Sequence, residues 1–359
     1  MSSSYLFLAL LRYSPCLLVT IVAFLFSMHF SPMHWTDFRC FPCRCVQKDN
    51  GTKHLASCSL VGVLRLKDVS LNEQGITSIA QDAFASSRGL QVLSLSGNRL
   101  SFLPEKIFAP LDSLQLLDLG RLGLQHVGSD TFRGLSHLKK LSLSQNHLKL
   151  LPADLLRPMP ALEKLYLQHN SLGDLPIEVW ANLFGGLGKL QKLYLAGNRL
   201  SLLPAEIFSG LGNLQDLDLA SNSLGDLPIE VWANLFGGLG QLWWLDLRSN
   251  RLSLLPAEIF SGLGNLQVLD LGYNSLGDLP IEVWANLFGG LGSLRQLDLS
   301  SNNLKELPAE TWASLTNVFA RLGNLELLLL YGNNLSELPA ICSTILCYKW
   351  RMRCFRQKW

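Results

Sequence analysis

Leucine recurs along this chain at fixed spacings, and that pattern is the strongest structural signal in the sequence. The motif L-x-x-L-x-L-x-x-N-x-L begins eleven times, with successive starts mostly 24 or 28 residues apart. The starts are Leu66, Leu90, Leu114, Leu138, Leu162, Leu190, Leu214, Leu242, Leu266, Leu294 and Leu325. A fixed period of this length predicts a solenoid, in which each repeat forms one coil that stacks on its neighbours.

The motif also predicts the structure inside each coil, numbered here from its first leucine. Positions 4 and 6, such as Leu193 and Leu195, alternate with outward residues, which predicts a short strand with one buried face. Stacked coils should place these strands side by side in one parallel sheet. Position 9 is usually asparagine, whose amide can donate to and accept from the backbone inside the coil. Leu122 replaces it in the third repeat, which predicts a looser coil there.

A second column of large apolar residues follows at position 19, and we predict that it packs on the opposite side of the core. Its members are Phe84, Phe108, Phe132, Leu156, Trp180, Phe208, Trp232, Phe260, Trp284 and Trp312. The 28-residue repeats insert four residues near EVWANLFGGLG, which predicts one extra helical turn. Because no coil buries its apolar face alone, residues 66–339 are expected to form one cooperative body.

The N-terminal residues predict export from the cytoplasm. Residues 16–28 are an uncharged apolar run of 13 residues, which suits a signal peptide and is short for a membrane span of about 20 residues. We expect residues 1–31 to be a signal peptide. An uncleaved signal anchor and a spurious start are the alternatives. The protein should then be secreted, or held at the cell surface by a single span.

Cysteine spacing points to the same oxidising compartment. Cys40, Cys43, Cys45 and Cys58 follow the export segment and predict a disulfide cap over residues 40–65. A zinc site is the alternative for these four cysteines. Cys342, Cys347 and Cys354 lie in a basic C-terminal tail, residues 340–359. Seven cysteines remain after signal removal, so one is unpaired or bonds to another chain.

Composition and charge narrow the function further. Leucine makes up 83 of the 359 residues, and a mean hydropathy of +0.22 excludes a disordered chain. The net charge is +2, but five basic residues lie in the last twelve, so the preceding residues sum to −3. Such a body has little attraction for a phosphate backbone, and we expect no nucleic-acid partner.

Catalytic chemistry is not indicated anywhere in the sequence. The seven histidines are scattered, without metal-ligand spacing to another histidine or a carboxylate. GGLG at residues 185–188 lacks the Lys-Ser/Thr of a phosphate loop and recurs at the same repeat phase, so it is a turn. We therefore expect no enzyme activity, no cofactor and no metal.

Internal copies of the sequence locate the functional surface. Residues 198–215 and 250–267 are identical, and so are residues 170–188, 222–240 and 274–292. The array has therefore grown by copying a 52-residue, two-coil unit. The outward strand positions 2, 3, 5, 7 and 8 nevertheless all differ between the coil at Leu190 and its copy at Leu242. A recognition surface explains that variation better than a structural rod does.

The candidate ligand-binding residues all lie at these outward positions of the predicted concave face. They are Lys164, Tyr166, Lys192, Tyr194, Trp243, Trp244, Asp246, Arg248, Asp270 and Tyr273. Exposed aromatics beside arginine are typical of binding hot spots. The aspartates have a strong structural alternative, because Leu-Asp-Leu is common in strands of such repeats. Asn50 and Asn334 begin glycosylation sequons.

The repeats, together with the cysteine cluster before them, resemble extracellular leucine-rich-repeat proteins of the 24-residue class. That class includes Slit-like ligands, Toll-type ectodomains, the Nogo receptor and variable lymphocyte receptors. The resemblance implies an α/β horseshoe with a concave parallel sheet and a convex side of loops, 3-10 turns and short helices. It also implies disulfides Cys40–Cys45 and Cys43–Cys58. The C-terminus lacks the four-cysteine cap of the class.

The function expected from this resemblance and from the concave face is non-catalytic recognition of a protein ligand outside the cell. A glycan is a further possible ligand. An extracellular-matrix or adhesion protein, and an innate-immune-type receptor ectodomain, are the alternative functions. A membrane would be contacted only through the N-terminal segment, if that segment is not cleaved.

Overall fold

The computed structural model describes residues 44–47, 53–57, 67–304 and 322–334. The predicted signal segment, Cys40, Cys43, Cys58, Asn50, Trp312 and the tail at residues 340–359 lie outside this part of the chain. The side chain of Cys45 is outside it as well. The predicted cap disulfides and the glycosylation of Asn50 therefore stay predictions.

The predicted solenoid with a parallel sheet is confirmed. In the described residues, eleven three-residue strands follow one another as hydrogen-bonded neighbours. They are β3 (Asp68–Ser70), β5 (Val92–Ser94), β6 (Leu116–Asp118), β7 (Lys140–Ser142), β8 (Lys164–Tyr166), β9 (Lys192–Tyr194), β10 (Asp216–Asp218), β11 (Trp244–Asp246), β12 (Val268–Asp270), β13 (Gln296–Asp298) and β14 (Leu327–Leu329). Each strand occupies positions 3 to 5 of its coil. Equivalent positions pair between coils, as Leu193 pairs with Leu217 and Leu217 with Leu245.

A smaller sheet lies at the N-terminal end of the array. Strand β1 (Arg44–Gln47) pairs antiparallel with β2 (Lys53–Ser57), which pairs in parallel with β4 (Ile76–Ile79) of the first coil. The Lys53 ammonium donates to the Gln74 carbonyl at 2.9 Å, and the Thr77 hydroxyl donates to the Lys53 carbonyl at 3.0 Å. The chain before the repeats therefore covers backbone of the first coil.

The long coils carry the predicted extra helix on their convex side. In the described residues these are α1 (Ile177–Leu183), α2 (Ile229–Leu235) and α3 (Ile281–Leu287). Each follows a 3-10 turn, at Leu172–Asp174, Leu224–Asp226 and Leu276–Asp278. A proline with its fixed φ precedes each helix, as Pro176 precedes α1.

The aromatic column is present, but its members in the long coils differ from the prediction. The rings of Phe84 and Phe108 stack with centroids 5.9 Å apart, as predicted for short coils. In the coil at Leu162, however, Phe184 stacks on Phe208 at 6.3 Å, while Trp180 packs beside Phe184 at 6.1 Å. The four inserted residues add about one helical turn, so the stacking place moves from position 19 to position 23. Trp180, Trp232 and Trp284 remain fully buried in the core.

Asparagines close the coils as predicted. The Asn222 amide donates to the carbonyls of Leu195 and Leu219 at 3.1 and 2.9 Å, and its oxygen accepts from the Leu200 N–H at 3.0 Å. Where Leu122 interrupts the column, the Asn146 oxygen accepts from the N–H groups of both Leu122 and Leu124 at 3.0 Å. The Asn222 oxygen makes the same two bonds to the N–H groups of Asn198 and Leu200, so Asn146 is bonded in the ordinary way. Leu122 itself is buried and has no side-chain amide to form the equivalent bonds with the coil before it, and the looser coil stays a prediction.

Candidate functional site

The parallel register arranges the outward side chains in columns across the sheet. Position 3 presents Lys140, Lys164, Lys192, Asp216 and Trp244 on successive strands β7 to β11. Position 5 presents Tyr166, Tyr194, Asp218, Asp246, Asp270 and Asp298 on β8 to β13. A basic strip is therefore followed by an acidic column along the solenoid, and aromatic residues lie between them.

Three aromatic side chains form a contiguous group, which we call the aromatic cluster: Tyr166, Tyr194 and Trp244. The two tyrosine rings are nearly parallel, with centroids 4.9 Å apart and planes 4° apart. The Trp244 ring lies 6.3 Å from Tyr194 at 45°. At the other end, the Lys140 ammonium lies 5.0 Å from the centroid of the Tyr166 ring, within range of a cation–π interaction.

Beside this cluster is a partly buried ion pair. The Lys192 ammonium lies 2.5 Å from the Asp216 Oδ2 atom, and the Tyr194 hydroxyl donates to the same oxygen at 3.2 Å. Burial, followed by the negative charge of Asp216, raises the pKa of Tyr194. The Tyr194 hydroxyl therefore keeps its proton and acts as a donor at physiological pH.

The aspartate column has a clear structural role. The Oδ1 atoms of Asp218, Asp246, Asp270 and Asp298 each accept the backbone N–H two residues later, at 2.8 to 3.0 Å. This bond holds the turn after the strand, as short polar side chains often do. One oxygen of each carboxylate therefore holds the backbone turn, and in Asp246 and Asp270 the other oxygen lies near Arg248.

Burial changes the acidity of this column. Desolvation raises the pKa of Asp246 to about 7, although the Arg248 N–H bond opposes the rise. Desolvation also raises the pKa values of Asp218 and Asp270. These carboxyl groups are thus poorly solvated, and each gains from a nearby cation.

Arg248 supplies such a cation in the coil at Leu242. Its Nε atom lies 3.2 Å from Asp246 Oδ2, and its Nη1 atom lies 3.9 Å from Asp270 Oδ2. The guanidinium is half exposed, so it can also reach a ligand. Trp243 and Tyr273 lie at other outward positions of the coils at Leu242 and Leu266, with 38% and 56% of their surfaces exposed. They offer free apolar surface on two adjacent coils.

The ten candidate residues thus fall into a small number of neighbourhoods. Tyr166, Tyr194, Lys192 and Trp244 are brought together, and so are Asp246, Arg248 and Asp270. Lys164 is half-buried and lies between Lys140 and Lys192 in the position 3 column. Trp243 and Tyr273 remain accessible at positions 2 and 8, the first and last of the outward positions of their coils.

Asp216 is the residue that sequence reasoning missed. Its carboxylate connects Lys192 with Tyr194 at the centre of the face. The available signal was a reversal of charge in the position 3 column, where three lysines are followed by an aspartate and then a tryptophan. Adjacent opposite charges in register on neighbouring strands predict a cross-strand pair.

Two negative observations apply to residues 44–47, 53–57, 67–304 and 322–334. Within them, no three His, Cys, Asp or Glu side chains are grouped so that they could hold a metal ion. Within the same ranges, no helix has both the length and the apolar character required to cross a membrane. Asn334, the second predicted glycosylation site, is exposed.

Comparison with known families identifies the repeat. The family described as "Leucine rich repeat" matches residues 65–121, 120–172, 188–252 and 240–304, which together cover more than half of the chain. The chain belongs to the leucine-rich-repeat family. A search of curated protein sequences found no match.

Solved structures with a similar fold include other leucine-rich-repeat proteins. The leucine-rich-repeat protein LIC12759 of Leptospira interrogans is 29% identical over 80% of this chain and 71% of that chain, with a TM-score of 0.62. TLR13, solved in complex with ssRNA13, is 27% identical over 75% of this chain and 43% of that chain, with a TM-score of 0.52. Drosophila Toll, solved in complex with Spatzle, is 22% identical over 82% and 48%, with a TM-score of 0.58, and shows the shared fold alone. This leucine-rich-repeat chain spans less than half the length of the two Toll-type chains.

Proposed function

We propose that this leucine-rich-repeat protein is a non-catalytic recognition protein that binds a protein ligand outside the cell on its concave sheet. The observation that carries the proposal is the contrast between copies of the 52-residue unit. Their internal residues are identical, whereas all five outward strand residues differ between the coil at Leu190 and the coil at Leu242. A protein that served only as a spacer would need the internal residues to keep its fold, and it would have no reason to vary the outward strand residues.

The chemistry of the concave face supports a protein ligand. Trp243 and Tyr273 present free apolar surface, and Arg248, in the same coil as Trp243, has a half-exposed side chain. Tryptophan, tyrosine and arginine are the residues most enriched at binding hot spots. Charges of both signs surround them, which favours a partner with a complementary mixed surface.

RNA is the competing macromolecule, because the TLR13 structure contains single-stranded RNA. Stacked tyrosines beside lysines also occur in single-strand binding sites. Here, however, Tyr166 is enclosed between Lys140 and Tyr194, so its ring faces are occupied. The acidic column on β10 to β13 would repel phosphates, so a protein ligand fits the face better.

The extracellular location is part of the same proposal. It is supported by the apolar run at residues 16–28, by the four cysteines that follow it and by the exposed sequon asparagine Asn334. The cap disulfides Cys40–Cys45 and Cys43–Cys58 and a glycan on Asn50 or Asn334 belong to it too. A matrix or adhesion protein remains the alternative if partner binding does not depend on the concave face.

Capture from a biotinylated cell-surface extract tests the proposal. Wild-type protein, Trp243→Ala/Trp244→Ala and the control Leu202→Ala/Leu254→Ala would be immobilised in parallel. The control leucines are 58% and 65% exposed at position 13, outside the strands. We expect a protein that is retained by the wild type and the control and lost from the tryptophan variant. Equal capture by all three proteins, or retention of added single-stranded RNA without any protein, would contradict the proposal.

A further inference from the structure

Most of the exposed large apolar side chains lie outside the concave face, on one lateral side of the array. Eight such side chains are exposed in the described residues, and six of them lie at position 13 or 16, where the chain crosses from the strand to the convex side. An apolar row of this kind on a soluble protein is typical of an interaction surface. We call it the lateral stripe. Its members, 46 to 67% exposed, are Phe102, Leu150, Leu202 and Leu254 at position 13 and Ile177 and Ile229 at position 16.

Large and small side chains alternate along the lateral stripe. Equivalent positions of adjacent coils are neighbours on this side too, as the Lys106 N–H donates to the Asp130 carbonyl at 3.2 Å, both at position 17. Ala205, at position 16, is half-buried and therefore lies between Ile177 and Ile229, which are two coils apart, about 10 Å. Its own coil presents Leu202 three residues earlier. The surface is therefore corrugated, with a period of two coils.

That period indicates which partner matches the lateral stripe. Residues 198–215 and 250–267 are identical, so the stripe repeats unchanged in the copied unit, whereas the concave positions differ. Phe102 and Leu150 continue the exposed apolar row in coils outside the copies. A corrugated surface packs most closely against one of the same period. A second copy of this chain has that period by construction, and a two-fold contact uses the same surface on both copies.

Two rows of opposite charge border the lateral stripe and favour one orientation of such a pair. If the two arrays run parallel about a two-fold axis along the stripe, position 10 of one copy faces position 17 of the other. Antiparallel arrays would place the basic rows against each other, which is unfavourable. The exposed side chains of these rows are Arg99, Arg199 and Arg251 at position 10, and Asp154, Glu178, Glu206, Glu230 and Glu258 at position 17.

We propose that a second copy of this chain docks on the lateral stripe and forms a parallel two-fold dimer. The rotation that pairs the charged rows also places position 13 opposite position 16. Leu202 then packs on the partner's Ala205, between the isoleucines on either side of it, and Arg199 pairs with the partner's Glu206. Leu254 and Arg251 make the equivalent contacts in the copied coil. The concave sheet takes no part in this contact, so the dimer presents two free recognition faces.

Sedimentation velocity of the full chain over a wide range of concentrations tests the apolar contact. We expect a dimer whose Kd rises about tenfold or more in Leu202→Gln/Leu254→Gln, because glutamine keeps the size of leucine and loses its apolar burial. The control is Trp243→Gln/Tyr273→Gln, which changes two exposed apolar residues of the concave face. It should dimerise like the wild type.

Exchange of the charged rows tests the orientation. Arg199→Glu/Arg251→Glu places acidic groups against the acidic row of the partner and should raise the dimer Kd about tenfold or more. Adding Glu206→Arg/Glu258→Arg to the same chain restores opposite charges across the parallel dimer, so dimerisation should return. This restoration also shows that the first variant is folded. An antiparallel pair would show neither the loss nor the recovery.

The remaining outcomes each overturn the proposal. A wild type that stays monomeric at its highest soluble concentration would exclude the dimer. Dimerisation lost in Trp243→Gln/Tyr273→Gln would assign self-association to the concave face. A monomer that binds phosphatidylcholine vesicles through Leu202 and Leu254 would assign the lateral stripe to a membrane. The proposed function is independent of these results, because Leu202→Ala/Leu254→Ala should still capture the concave partner.

Discussion

The coil at Leu190 and its copy at Leu242 share the same interior and have different concave surfaces. The side-chain amides of Asn198 and Asn250 each donate to three backbone carbonyls, one in the preceding coil and two in their own coil. Each side-chain oxygen accepts the backbone N–H of the residue 26 positions earlier. Phe208 and Phe260 stack on the preceding long coil at 6.3 and 6.1 Å. On the concave side, a lysine–tyrosine pair in one coil is replaced by a tryptophan–aspartate pair in the other.

The difference shows how this fold separates stability from recognition. Residues at positions 4, 6 and 9 point into the core and cannot change without leaving cavities or unpaired backbone groups. Residues at positions 3 and 5 contact one another across neighbouring strands, as Tyr166 contacts Tyr194. They can therefore change while the coil beneath them stays closed. The copied unit keeps its scaffold and acquires a new surface.

The largest expected effect comes from breaking the shared interior. We expect Asn198→Ala and Asn250→Ala each to lower the free energy of unfolding by about 3 kcal/mol, because buried carbonyls lose their donor. Since the two asparagines have equivalent bonds, the two losses should agree to within about 1 kcal/mol. Urea unfolding followed by circular dichroism measures both. A large loss in one copy and none in the other would contradict the view that the interiors are equivalent.

A smaller effect should separate the two concave surfaces by pH. Asp246 has a folded-state pKa of about 7, above the unfolded value, so the folded protein binds the extra proton. Its stabilising contribution is therefore complete below the unfolded pKa, near 4, and is lost as the pH rises through 7. Between pH 5 and pH 8 the wild type should lose on the order of 2 kcal/mol more than Asp246→Asn.

Asparagine is a suitable control for this titration because its side-chain oxygen can still accept the Arg248 N–H. Urea unfolding at both pH values in each protein measures the difference. If the wild type and Asp246→Asn change in parallel between pH 5 and pH 8, Asp246 does not titrate in that range. Tyr194, the equivalent residue of the other copy, keeps its proton throughout and should contribute no such dependence.

The smallest expected effect lies in the turn after each strand. Position 8 has a positive φ in both copies, 66° at Gly197 and 56° at Ser249, and glycine adopts this conformation without strain. Ser249→Gly should therefore stabilise the protein by about 0.5 kcal/mol. Gly197→Ser should destabilise it by about 1 kcal/mol or more, because its Cβ would lie 2.7 Å from the His169 ring. Thermal unfolding measures both substitutions, and effects of the same sign would refute this explanation.

Much of the fold was predictable because each motif position has one physical role. The strand, the asparagine turn and the buried leucines follow from local pattern and from the impossibility of a stable single coil. The stacking of Phe184 instead of Trp180 on Phe208 was not predicted. The four-residue insertion leaves two aromatic residues, at positions 19 and 23 of the coil, that could each occupy the stacking position. Only the helix geometry decides between them.

The concave face was predictable as a set of positions but not as a set of contacts. Alternation identified Tyr166, Tyr194 and Trp244 as outward residues. The contact between Trp244 and Tyr194 and the burial of Asp216 depend on side-chain conformations that spacing does not encode. For the same reason, the role of the aspartates in holding the turns became visible only from their bonds to backbone N–H groups.

The most direct test exchanges the concave surface of one copy for that of the other. The five substitutions Trp243→Gln, Trp244→Lys, Asp246→Tyr, Arg248→Ala and Ser249→Gly convert the coil at Leu242 to the surface of the coil at Leu190. Binding of the captured protein partner and urea unfolding are then measured on the same preparation. We predict loss of the partner with cooperative unfolding retained, the free energy changing by less than about 2 kcal/mol. Retained partner binding would contradict recognition through this face, and collapse of the fold would contradict the separation of scaffold from surface.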